Sequence, residues 1–152
     1  MSGITERIDS KNGRLAVGKI NKFFKTLDNN YDINCGGCCY IAAVVAEILE
    51  QYNIKFKVVV YSYSSEPLRK DDLYICPQSH YAIYVKGMGI INKYRYLGFL
   101  KIHSFSNVSS ETLYDMYDRL SWNHRYNPNY NNTIGDQIGH FFKKVLNNVL
   151  SV

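Results

Sequence analysis

The chain has 152 residues, 46% of them hydrophobic and 20% charged, with a formal net charge of +5. That apolar share fills the core of a single domain, 1–152, and excludes a disordered or low-complexity scaffold. No run approaches the ~18 consecutive apolar residues of a membrane-spanning helix, and lysine and arginine are dispersed along the chain, which predicts neither a membrane nor a specific nucleic-acid partner.

The first residues, Met1 to Arg7, are polar where a secretory leader would be apolar. Asn, Tyr, Ile and Lys are frequent and Ala is sparse, as in AT-rich genomes. The expected location is therefore cytoplasmic: bacterial, or the host cytoplasm or virion for a phage-encoded chain. From Arg14 to Leu27, apolar residues at Leu15, Val17, Ile20, Phe23, Phe24 and Leu27 recur at helical spacing and predict an amphipathic helix. Asp28 to Asn34 break it with turn-forming residues. A second helix is predicted from about Cys38 to Tyr52, striped by Ile41, Ala42, Val45, Ile48 and Leu49. With Ala43, Val44 and Ala46 on its flanks it is apolar nearly all round, and should be buried. Lys55 to Tyr63, β-branched and aromatic, reads as a strand.

Ser64 to Ser79 is a polar connection with a short apolar patch, Leu73 to Ile75. His80 to Lys86 then reads as a central strand, Gly87-Met88-Gly89 as a turn, and Ile90-Ile91-Asn92 as the returning strand of a hairpin. A further strand is expected around Tyr96 to Ile102. Ser109 is placed to cap a helix reaching about Leu120. Asn123 to Asn132 reads as a loop around Pro128, and a last helix begins near Thr133 with Ile134, Ile138, Phe141 and Phe142 facing inward. Helices, an antiparallel sheet and helices again make an α+β order, with a core of about 34–104 and a C-terminal helical extension of about 109–150.

Four cysteines carry most of the chemical information: Cys35, Cys38, Cys39 and Cys76. Without a secretory leader they are expected to be reduced. A thiol is a nucleophile only as thiolate, and the amide N–H groups and dipole at a helix start favour that form. Cys38 is placed for this, after Gly36-Gly37, which let a substrate backbone come close. Amides beside it can serve as oxyanion donors. The base must come from elsewhere, and His80 at a strand start is the best candidate. Asn92, on the returning strand, is the candidate to orient the imidazole, provided the turn leaves both side chains on one face. Gly87 and Gly89 allow the bulged turn that this register needs.

These residues resemble known families. Gly37-Cys38-Cys39-Tyr40-Ile41-Ala42, followed by Ile48-Leu49 and Asn53-Ile54-Lys55-Phe56-Lys57-Val58, resembles the nucleophile helix of transglutaminase-like proteins, which usually carry Gly where Asn53 stands. His80-Tyr81-Ala82-Ile83-Tyr84-Val85-Lys86-Gly87-Met88-Gly89-Ile90-Ile91-Asn92 is similar to the His strand of NlpC/P60 peptidases, whose Asp-Cys-Ser-Gly nucleophile signature is absent here. Cys35-Gly36-Gly37-Cys38-Cys39-Tyr40 resembles the papain nucleophile segment, whereas bacteriocin-processing peptidases would make Cys35 the nucleophile. The resemblance spans roughly 34–92. It implies a papain-like or transglutaminase-like core: a nucleophile helix packed on an antiparallel sheet, with flanking N- and C-terminal helices. It further implies a cysteine hydrolase or acyltransferase acting on an amide-type bond through a thioester, with Cys38, His80 and Asn92 as catalytic residues. The substrate would be a peptide, a protein or a peptidoglycan stem, and neither cofactor nor metal is needed.

Other readings stand beside this one. Cys38 can be a small buried hydrophobe and His80 a strand histidine without catalytic use. The domain is then a catalytically inactive papain-like fold serving as a structural or interaction protein, a phage component for example. Cys35-x-x-Cys38 with Cys76-x-x-x-His80 is also a zinc-like ligand set, although the intervening helix is long and apolar where structural zinc sites use short loops. Trp122 to Tyr130 offers aromatic and basic groups for stacking, or simply forms a surface loop or a flap beside the cleft.

Overall fold

The computed structural model describes residues 10–28, 34–62, 80–92 and 101–125, with side chains described over 10–25, 38–62, 80–92 and 102–117. Among the described residues three helices, α1 (Lys11–Asp28), α2 (Asn34–Gln51) and α3 (Ser110–Arg125), accompany four strands, β1 (Lys57–Ser62), β2 (His80–Val85), β3 (Gly89–Ile91) and β4 (Lys101–Phe105). The strands form one antiparallel sheet in the order β3-β2-β1-β4. This is the expected α+β architecture. Among the described residues no helix is long and apolar enough to cross a membrane.

Each helix begins or ends where a side chain or a left-handed residue satisfies its end groups. Ser10 caps α1, its Oγ accepting the Gly13 N–H at 2.9 Å. The helix buries Ala16, Ile20, Phe23 and Phe24, so Leu15, expected on the inner stripe, stays about half exposed, at 47%. Ala16 takes the inward direction one residue later, because residues four apart share a helix face. Ser109 caps α3 as expected, accepting the Thr112 N–H at 3.2 Å. Helix α2 ends in a Schellman motif: Ile54 N–H reaches Leu49 C=O at 3.0 Å, Asn53 N–H reaches Glu50 C=O at 3.1 Å, and Asn53 itself is left-handed at φ 56°. Asn53 adopts that conformation because its short polar side chain tolerates it.

Helix α2 is buried nearly all round, from Cys38 to Leu49, as its composition predicts. It lies on the sheet through Val58, Val60, Tyr81 and Ile83, with α1 and α3 completing one apolar cluster. At full burial each large aliphatic or aromatic side chain of that cluster contributes roughly 1.5–3 kcal/mol. The other sheet face carries Val59, Tyr61 and Ala82, also buried, so β1 is covered on both sides. Three boundaries differ from expectation. Helix α2 starts at Asn34 rather than Cys38, β4 runs to Phe105 rather than ending about Ile102, with 96–100 outside the described residues, and α3 runs through Asn123 to Arg125, where a loop was expected. The apolar patch 73–75, Cys76, the rest of the 123–132 loop and the predicted last helix lie outside the described residues.

Candidate active site

Cys38 sits in the second turn of α2, with Gly36 and Gly37 inside the first turn rather than ahead of the helix. Its thiol is still met by main-chain donors: the N–H groups of Tyr81, Cys39 and Cys38 itself all favour negative charge on the sulfur. Burial outweighs them and pushes the Cys38 pKa above its ordinary value of 9.0. Cys38 is therefore a neutral thiol at pH 7. Cys39, on the next position, points into the α2–α3 interface and donates its S–H to Leu113 C=O at 3.4 Å. Burial, with the Cys38 charge behind it, raises its pKa well above 9.0. Neither cysteine is in a disulfide.

The Tyr81 amide that faces Cys38 belongs to the peptide that begins at His80, so helix and strand converge on one point. His80 opens β2 opposite Tyr61 on β1, and the two rings lie 5.8 Å apart. Its Nε2 lies 2.7 Å from the main-chain oxygen of Asn92. A carbonyl oxygen can only accept, so Nε2 carries the proton and donates, and Nδ1 is left as the basic nitrogen. Burial lowers the His80 pKa from its ordinary 6.5, against the opposing pull of the Asn92 carbonyl. The imidazole is thus neutral at pH 7, the form a general base needs.

Asn92 meets His80 through its main chain, where the sequence suggested its side-chain amide. The hairpin explains the difference. Met88 N–H closes a turn on Val85 C=O at 3.0 Å, Gly87 adopts φ 89°, and the ladder pairs Ile83 with Ile91. Extending that register sets Asn92 opposite Ala82, diagonal to His80. At that point Asn92 turns left-handed, at φ 63°, ending β3 and directing its carbonyl at the imidazole. No side-chain pattern records a main-chain acceptor, and the same holds for the Tyr81 amide. The only sequence hint is an Asn following a strand, a residue that tolerates the left-handed region.

Two features of the site limit access. Cys38 and His80 are only 8% and 7% exposed. Strand alternation also sends the His80 side chain to the face of Tyr61 and Ala82, while Cys38 stands in the cluster of Tyr81 and Ile83. Thiol and imidazole flank the first peptide of β2 from its two sides. Among the described residues no group of three or more His, Cys, Asp or Glu side chains is placed to hold a metal ion, and the zinc-like set draws on the side chains of Cys35 and Cys76, which lie outside them. No protein-family model, curated protein or solved structure matches the chain.

Proposed function

We propose that the chain is a papain-like thiol hydrolase or acyltransferase, with Cys38 as nucleophile and His80 as base. The observation that carries this reading is the convergence at the start of β2: an amide next to His80 faces the Cys38 sulfur, and the Asn92 carbonyl fixes the imidazole as the Nε2–H tautomer. The reaction requires the start of β2 to shift so that the imidazole reaches the thiol around the first peptide of the strand. Nδ1 then takes the thiol proton as sulfur attacks an acyl carbon, and main-chain N–H groups freed from the sulfur stabilise the oxyanion that develops. The tetrahedral intermediate expels an amine, which leaves with the proton from His80, and a thioester remains on Cys38. Water or a second amine, deprotonated by the same nitrogen, releases the acyl group. Because thiol and imidazole are both neutral at rest, proton transfer accompanies attack rather than preceding it.

The test is acylation by p-nitrophenyl acetate, followed by intact mass and peptide mapping. A single acetyl group is expected on Cys38, absent in Cys38→Ala and formed about tenfold or more slowly in His80→Ala. Asn92→Gly should acylate at nearly the normal rate, since glycine keeps both the carbonyl and the left-handed backbone. Acetyl spread over several cysteines, or none on the folded protein, overturns the reading. A second reading, the catalytically inactive fold in a structural or interaction role, is favoured by the burial of Cys38 and His80 and by their placement on opposite faces of β2. It predicts that Cys38 acylates only after unfolding.

A further inference from the structure

At the far end of β2, roughly 13 Å along the strand from His80, a cleft of about 610 Å³ opens between the strand ends and the start of α3. That volume suits a small molecule. Its walls combine aromatic and aliphatic surface, from Phe56, Tyr84 and Val108, with the ammonium groups of Lys55, Lys57 and Lys86. The lysines are gathered by the sheet itself. Lys57 pairs directly with Tyr84 on the neighbouring strand, and the same register carried two residues further sets Lys55 opposite Lys86.

Like charges facing each other across a strand pair are destabilising. Among the described residues none of the three lysines has an ion-pair partner. The carboxylate at the cleft, Glu50, does not answer them, because both of its oxygens are engaged by Ser110, from the main-chain N–H at 2.8 Å and from Oγ at 2.6 Å. Glu50 also satisfies the start of α3, so the anion sought by the lysines is not one the helix end already holds. Three positive charges against one leave the cleft with a net charge of +2 beside an exposed tyrosine ring.

We propose that this cleft binds a small phosphomonoester carried on a flat ring, the ring resting against Tyr84 and the phosphate taken by Lys55, Lys57 and Lys86, which share its face of the sheet. A phosphate dianion neutralises the facing lysines, and an apolar ring fills the surface between them. The site is independent of Cys38, and its failure would leave the thiol chemistry untouched. Calorimetric titration with phenyl phosphate at low ionic strength tests it, with inorganic phosphate as the second arm. Phenyl phosphate is expected to bind with Kd below about 1 mM, more tightly than inorganic phosphate and more weakly as salt is raised. Lys57→Gln/Lys86→Gln, folded by circular dichroism, should weaken it about tenfold or more. No binding to the wild type, equal binding by inorganic phosphate, or unchanged affinity in the folded double variant would overturn the proposal.

Discussion

His80 and the two adjacent cysteines are buried in their uncharged forms, and this couples them to stability in opposite directions. The His80 pKa lies below its ordinary 6.5, so below that pH the unfolded chain takes up a proton that the folded chain resists. Its contribution is complete above pH 6.5 and is lost as pH falls through the depressed value. Cys38 and Cys39 lie above their ordinary 9.0, so their contribution is complete below pH 9.0 and is lost as pH rises past it. Stability against urea should therefore fall on both sides of this window, by up to about 1.4 kcal/mol per pH unit for each group. His80→Gln should flatten the acid limb relative to wild type. Identical acid limbs in the two proteins would show that His80 is not held neutral by the fold.

At the scale of elements, the helices were legible because burial follows composition. The run from Ile41 to Leu49 has no polar side to present to water apart from Glu47, whose carboxylate accepts the Tyr114 hydroxyl proton at 2.5 Å. That contact and burial together push the Tyr114 pKa upward. The strands were legible from β-branched runs, but β4 runs past its expected end at Ile102 to Phe105, because the polar His103 and Ser104 interrupt the apolar pattern there. The start of α2 was missed because Gly36 and Gly37, poor helix formers, lie inside its first turn. The end of α2 makes a specific prediction. Asn53→Ala should lower stability by about 1 kcal/mol, as alanine pays the left-handed strain without the Asn side chain. Asn53→Gly should be neutral or mildly stabilising. Equal midpoints for the alanine and glycine variants in urea denaturation would contradict the motif.

Across the whole molecule, one sheet serves two ends. Where β2 begins, α2 delivers a thiol to the peptide beside a histidine; where β2 ends, paired strands gather lysines around an open cleft. Residue types at the first end were visible in the sequence, whereas the groups that orient them are main-chain atoms set by register and by the left-handed Asn92. The lysine cleft was invisible for a related reason, since residues about 30 apart meet there only through strand pairing.

The most direct measurement is the pH–rate profile of Cys38 acylation in the folded protein, compared with His80→Ala. A neutral imidazole acting as base predicts a rate that climbs through an inflection below pH 6.5 and then levels toward neutrality, a limb that vanishes in the variant. A rate that simply grows with hydroxide to beyond pH 9.0 in both proteins would describe a solitary buried thiol and contradict the pairing.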